Sequence, residues 1–559
     1  MLQSQLNSTL LNTYAVAGLL SILLLGGASP LRAQAPQAPL KDIWPGLQSS
    51  SPMHLFKSTN GTLFFTAEDS AYGRELWKSD GTEEGTVLVK DISPHRNGSI
   101  ASSSRPRSFV NYKEHVYFAA YDSTHGEELW KSDGTEDGTV LVKDVLPGTA
   151  GRVFDLAVVG DLLYFTAPDS ALGNTLWKSD GTEEGTVLVK DIDPSSENFL
   201  PSHLINADGT LFLLASDGVH GRELWKSDGT EEGTVLVKDI RSGSQGINFH
   251  QILNVNDTVF LLADDGVHGF QIWKSDGTEE GTVLVKEIGP ANGEFGDCCS
   301  DLVQGDSLLF FFGPGGIWKS DGTEEGTVLL TALEQAGLTE WAFLTYFEGH
   351  FYFYGFEAAT GWELWKSDGT VEGTALIRDN TPGPNINVAV GEMVFGGGLL
   401  FFSYQRRVWV TDGTEAGTRQ LIDSPFYGGE PHNLTYIDGT LFFVIRDIIV
   451  GEELRTLSDL PVGTEEEHPL PDTYALSAAY PNPFNATTEI TLSLPQPQHV
   501  DIALYDMLGR RVQRIYEGWL LGGTSHSFTV DGTALPNGLY LIRLQGDHFQ
   551  ASRATMLLK

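Results

Sequence analysis

Apolar residues in this chain come in short unbroken runs rather than at helical spacing. Leu63-Phe64-Phe65, Leu211-Phe212-Leu213-Leu214 and the stretch from Leu308 to Phe312 are examples. Runs of this length, bounded by Gly, Asp and Asn, predict strands of sheets covered on both faces. A sheet wetted on one side would instead alternate apolar with polar residues. The run Thr210–Ser216 belongs to a fuller pattern. It follows Ser202–Ala207 across Asp208-Gly209, a hairpin dipeptide of types that tolerate positive φ. A longer turn over 217–221 leads to Arg222–Ser227, and a turn over 228–233 leads to a last strand over 234–240. Four antiparallel strands, lettered a to d below, are therefore predicted in one stretch.

The pattern recurs along most of the chain. Trp-Lys-Ser-Asp-Gly-Thr begins at Trp77, Trp130, Trp177, Trp225, Trp273, Trp318 and Trp365, and Trp-Val-Thr-Asp-Gly-Thr begins at Trp409, at intervals of 44 to 53 residues. A worn ninth copy, Gly451-Glu452-Glu453-Leu454-Arg455, is followed by Glu465-Glu466-Glu467-His468-Pro469, which cannot serve as strand d. The missing strand lies at the other end of the chain, where Leu40-Lys41-Asp42-Ile43 matches Leu88-Val89-Lys90-Asp91-Ile92 with one residue deleted. Repeats of this length, four-stranded and buried on both faces, predict the blades of a β-propeller. An N-terminal strand completing the last blade would close the ring and remove its edges. The expected fold is all-β with nine four-stranded blades, or eight if the worn copy packs underneath. These tryptophan-centred copies resemble the bacterial family of Glu-Leu-Trp-x-x-Asp-Gly-Thr repeat proteins over 53–464. That resemblance implies repeat architecture and no settled activity.

Beyond an acidic, proline-containing linker over 465–473, the repeat vanishes. Alternating strands follow over 489–494, 500–505, 525–530, 539–544 and 551–558, as in a small immunoglobulin-like β-sandwich. Tyr480-Pro481-Asn482-Pro483-Phe484, Leu504-Tyr505-Asp506 with Gly509, Gly538-Leu539-Tyr540 and the terminal Lys559 make 474–559 resemble the C-terminal sorting domain of type IX secretion substrates. The resemblance implies an address: passage through the inner and then the outer membrane of a Gram-negative bacterium, with the type IX machinery as partner. At the other end, the apolar run from Ala15 to Leu25 and Ala33-Gln34-Ala35 read as a signal peptide over 1–35, although a basic n-region is lacking. That leaves 36–464 for the propeller. No later stretch is apolar enough for a membrane-spanning helix.

Charge narrows the partners. The chain carries a formal charge of −39, while 474–559 holds as many bases as acids. The acidity therefore sits on the repeats, which repel nucleic acid and anionic lipid. With two cysteines, Cys298 and Cys299, disulfides do not staple the fold.

Candidate chemistry is sparse. The Asp that opens each Asp-Gly-Thr turn (Asp80, Asp133, Asp180, Asp228, Asp276, Asp321, Asp368 and Asp412) is read as capping its own turn, with two glycines supplying positive φ. Calcium is the rival, since the turns gather 22 acids on one rim, but the Asp-x-Asp-x-Asp-Gly ligand ladder is missing. No cofactor is therefore assigned. The repeated tryptophans are read as core, not as sugar-stacking platforms. His125, His220 and His268, each three residues after Asp122, Asp217 and Asp265, occupy equivalent b–c turns on the opposite face. Convergence of neighbouring pairs would make a metal or acid–base site, whereas surface turns are the plainer reading. No nucleophile elbow, phosphate loop or zinc-protease helix is present. The expected function is an exported binding or adhesion scaffold for a surface glycan or protein. A secreted propeller enzyme acting on polysaccharide or protein, and a calcium-loaded envelope protein, are the alternatives.

Overall fold

The computed structural model describes residues 39–97, 100–149, 151–169, 173–193, 201–289, 299–383, 390–422, 429–447, 450–458, 475–476, 484–493, 498–506, 510–520, 525–546 and 550–559. Among these residues every element is a strand except one 3-10 turn, Leu333–Ala336. The strands form small antiparallel sheets. The first sheet is Met53–Lys57, Leu63–Asp69, Gly73–Ser79 and Val87–Lys90, paired in that order. Seven more four-stranded sheets repeat the order over 107–143, 154–191, 202–238, 248–286, 300–332, 340–376 and 390–420, and a three-stranded one occupies 432–457. In the fourth sheet, strands a, b and c fall at the expected residues. Strand d is shorter than expected, Val235–Lys238, and its register slips beside Trp225.

Continuous apolar runs on strand b do lie between two covered faces. Leu63, Phe64, Phe65 and Ala67 are all buried, as are 211–215. The side chains on either face meet the neighbouring sheets. Phe64, Leu76 and Val89 of the first sheet pack against Phe118, Ala120 and Trp130 of the second. Equivalent clusters join each sheet to the next. Phe442, Val444 and Leu454 of the ninth sheet pack on Leu63, Phe65 and Trp77 of the first, with Ile43 among them. Truncating one such buried aromatic to alanine costs about 3–5 kcal/mol. Strand a of each sheet also touches strand a of the next, and that of the ninth touches that of the first.

Lysines at the end of strand d tie the first five sheets to the turn of the next. The ammonium groups of Lys90, Lys190, Lys238 and Lys286 donate to the carbonyls of Thr139, Thr234, Thr282 and Thr327 at 2.8–2.9 Å. Lys41 does the same to Thr86 of the first sheet, at 2.8 Å. Its neighbour Leu40 donates its N–H to the Leu454 carbonyl at 2.9 Å, so this N-terminal segment lies along strand c of the three-stranded sheet. The expected outer strand is not formed as a strand: the sheet stays three-stranded, and the N-terminal segment is held beside it by this main-chain bond and the lysine tie. The expected break over 465–469 and the linker lie outside the described residues.

The C-terminal segment has its own core. One sheet contains Ala475–Leu476, Thr487–Ser493 and Ser525–Asp531, and the other Arg511–Leu520, Gln498–Asp506, Gly538–Gly546 and Gln550–Leu557. Ile490, Leu492 and Val530 from the first pack with Val500, Ile502, Leu504, Ile542 and Leu544 from the second. The strand Arg511–Leu520 was not expected, because its apolar positions are interleaved with Arg511, Arg514 and Glu517. No helix among the described residues is long and apolar enough to cross a membrane.

Candidate functional site

The Asp-Gly-Thr turn is built from its own side chains. One oxygen of Asp80 accepts the Thr82 N–H at 2.9 Å and the Thr82 hydroxyl at 2.7 Å. The Thr82 hydroxyl oxygen then accepts the Gly85 N–H at 2.9 Å. Below, the Ser79 and Thr86 hydroxyls meet at 2.8 Å. The same set recurs in the other seven turns, for example at Asp228 and Asp412. Bonds from Thr82 hold the Asp80 carboxyl below the usual carboxylate range. One point corrects the sequence reading. Gly81 has φ +90°, but Gly85 does not need positive φ; a Cβ there would come within 2.0 Å of the Asp80 carboxylate. The turn thus engages one oxygen of its aspartate in holding its own geometry.

The histidine turns are built mainly from their own side chains, though the Nε2 of His268 also lies 3.5 Å from Glu287. The Nδ1 atoms of His125, His220 and His268 lie 2.7, 2.6 and 2.6 Å from Asp122, Asp217 and Asp265 in the same turn. The other oxygen of each aspartate accepts the main-chain N–H of its histidine, at 2.7 to 2.8 Å. The bond from Asp217 raises the His220 pKa, and that from Asp265 raises the His268 pKa. Across sheets, nothing of the kind gathers: among the described residues, no three His, Cys, Asp or Glu side chains form a group able to hold a metal ion. Trp77, Trp130, Trp225 and Trp365 lie between sheets at 5–7% exposure, which removes them as sugar platforms, while Trp318 is only half-buried. Cys299 is buried beside Val285 and Leu302, while Cys298 lies outside the described residues.

Two features on this face were not found in the sequence. The first is the glutamate of Gly-x-Glu-Leu-Trp. Glu75, Glu128, Glu223, Glu363 and Glu453 are all fully buried. Glu75 accepts the N–H of Ile92 at 3.0 Å and of Ser104 at 2.9 Å, and also bonds the Ser104 hydroxyl, so it straps the connection to the next sheet. Burial pushes Glu75 and Glu128 up to about 8 and Glu223 and Glu453 up to about 7. The fifth sheet uses Gln271, whose carbonyl accepts from Ile288 at 2.9 Å. The repeated motif was a visible signal, but the glutamate's partners lie too far along the chain to be paired by spacing.

The second feature is a bulge in every strand a. At these bulges His54, Ser108, Asp155, His203, Asp301, Phe343 and Asn433 adopt φ between 41° and 60°. Such backbone costs on the order of 1–3 kcal/mol per residue and re-aims the side chain. Neighbouring bulges bond to one another: the His203 N–H reaches Asp155 at 2.9 Å, and the Phe343 N–H reaches Asp301 at 3.1 Å.

In the C-terminal segment, Phe484 is buried, bonded through its N–H to the Met556 carbonyl and through its carbonyl to the Leu558 N–H, both at 2.8 Å. The Tyr540 hydroxyl donates to the Pro536 carbonyl at 2.7 Å. Gly538 opens the strand that pairs with Leu557. The main-chain N–H of Lys559 donates to Asn537 at 2.7 Å, and its ammonium to the Thr533 carbonyl at 2.5 Å. Tyr480, Pro481, Asn482, Pro483 and Gly509 lie outside the described residues.

Residues 478–557 match the secretion system C-terminal sorting domain family. This segment is a type IX sorting domain, which points to secretion to the cell surface or extracellular space and to contact with that secretion machinery. No curated protein matches the chain. Among solved structures the chain is similar to a puromycin hydrolase, at 14% identity over 67% of this chain and 61% of that one, with a TM-score of 0.32. It is also similar to the extracellular domain of a one component system from B. thetaiotaomicron, at 10% identity over 91% and 81%, TM-score 0.30. Prolyl oligopeptidase B from Galerina marginata matches at 9% identity over 67% and 56%, TM-score 0.37. The chain spans less than two thirds of the hydrolase and of the oligopeptidase. Similarities at this level transfer no activity to it.

Proposed function

We propose that the chain is an exported, non-enzymatic binding or adhesion scaffold of the cell surface. In this reading 1–35 is a signal peptide and 36–464 a nine-bladed β-propeller of the Glu-Leu-Trp-x-x-Asp-Gly-Thr type. A linker over 465–473 then leads to an immunoglobulin-like sorting domain over 474–559. The observation that carries the reading is the sorting-domain match over 478–557, which makes the remainder a delivered cargo. The scaffold half is supported by the packing of the ninth sheet on the first and by turns that the opening aspartate holds through one carboxylate oxygen. A partner would be a surface glycan or protein. The test is localisation in a type IX-competent host: the full chain should reach the surface or medium, and a chain ending at Asp472 should stay in the periplasm. Surface display of the shortened chain would overturn the assignment.

A further inference from the structure

Among the described residues, the junction between the seventh sheet (340–376) and the eighth (390–420) lacks two ties used elsewhere. At four junctions the strand-c lysine donates to a glycine carbonyl in the next turn: Lys78 to Gly134, Lys131 to Gly181, Lys178 to Gly229 and Lys226 to Gly277, at 2.7–2.8 Å. In three sheets an asparagine near the end of strand a donates its amide to the preceding sheet: Asn111 to Lys57, Asn206 to Val158 and Asn254 to Asn206. The eighth sheet carries Phe395 at that asparagine position, and its ring stacks on Phe347, the last residue of strand a in the seventh sheet, with centroids 4.1 Å apart at 15°. The lysine is Lys366, and it lies over the Tyr352 ring, 5.7 Å from its centroid.

A cavity of about 150 Å³ opens here, lined among others by Phe347, Phe395, Tyr352, Lys366, His350 and Asp412. Its chemistry is mixed. Lys366 is a donor. The Asp412 turn uses one carboxylate oxygen, which accepts from Thr414 at 2.8 and 2.6 Å, and the other oxygen remains an acceptor. His350 is held through Nδ1 by the Glu348 carbonyl at 3.0 Å, so in the neutral ring Nε2 is an acceptor. Donors and acceptors beside aromatic walls suit a ligand whose hydroxyls do both and whose C–H faces are apolar. An anion would meet Glu348 and Asp412, and a cation would meet Lys366. The volume admits one sugar ring; pockets for drug-sized ligands run to roughly 300–1,000 Å³.

We infer that this cavity binds a single pyranose residue of a neutral glycan. The inference rests on the binding-scaffold reading and names its ligand class. Its test is saturation-transfer NMR on the full chain with the methyl glycosides of glucose, galactose, mannose and N-acetylglucosamine. At least one should receive transfer from protein aromatic protons, and its affinity should fall at least tenfold in both Phe395→Asn and Lys366→Ala. Phe395→Asn installs the residue that three other sheets carry at that position, so folding should survive, which circular dichroism checks. Transfer to none of the four, or binding unchanged in both variants, overturns the site while leaving the scaffold reading. Release of free sugar from a glycoside would instead sink the non-enzymatic reading and leave the site standing.

Discussion

Glu453 holds the two ends of the repeat region together, and its removal is the sharpest test of ring closure. Its carboxylate accepts the Ser50 N–H at 3.0 Å, the Ser50 hydroxyl at 2.5 Å and the Ile43 N–H at 3.4 Å, and none of it is exposed. Glu453→Ala strands up to three buried donors, each costing about 1–3 kcal/mol, offset in part by no longer burying a carboxyl. A net loss of about 2–5 kcal/mol against urea is expected. Glu453→Gln keeps an acceptor, as Gln271 does naturally, and should cost much less. The pair also separates pH behaviour. Burial raises the Glu453 pKa from 4.5 to about 7 in the folded chain. The folded state therefore binds the extra proton, so this contribution is complete below pH 4.5 and is lost as pH rises through about 7. At about 1.4 kcal/mol per pKa unit, wild type should lose on the order of 3 kcal/mol relative to Glu453→Gln across that window. The assay is urea unfolding of both chains from pH 4 to pH 9. Equal midpoints for Glu453→Ala and wild type, or a wild-type-minus-Gln difference that grows with pH, would refute the reasoning.

Three further outcomes are expected. A chain beginning at Ser51 loses Lys41, Ile43 and Ser50 and should melt below one beginning at Pro36; equal melting temperatures would show that the N-terminal segment ties nothing. Gly85→Ala drives a Cβ into the Asp80 carboxylate and should destabilise by about 1–3 kcal/mol, read by thermal melting against Gly46→Ala, where the added Cβ meets open space although its φ of +101° adds a backbone cost. Micromolar calcium at fixed high ionic strength should leave the melting temperature unchanged, whereas added salt of any kind should raise it by screening the acidic rim; a rise of several degrees with micromolar calcium would show that the turns bind it.

Strand positions were legible in the sequence because burial on both faces leaves an unbroken apolar run, and hairpin residues such as Asp208-Gly209 mark its end. The Asp-Gly-Thr turn was legible too, since its bonds close within six residues, from Asp80 to Gly85. The strand Arg511–Leu520 was missed because its charged residues hide the alternation. What only the tertiary structure decided are the contacts whose partners are set by neighbouring sheets. Glu75 bonds Ser104, 29 residues on, and Glu453 bonds Ser50, 403 residues back. No local spacing encodes such a pairing, because it follows from how one sheet is set against the next. The same holds for the cavity beside Phe347. Two phenylalanines in different repeats read as ordinary core residues until packing brings their rings within 4.1 Å and leaves a space beside them. A near-identical repeat determines its own fold locally, but what distinguishes one junction from another depends on two copies at once.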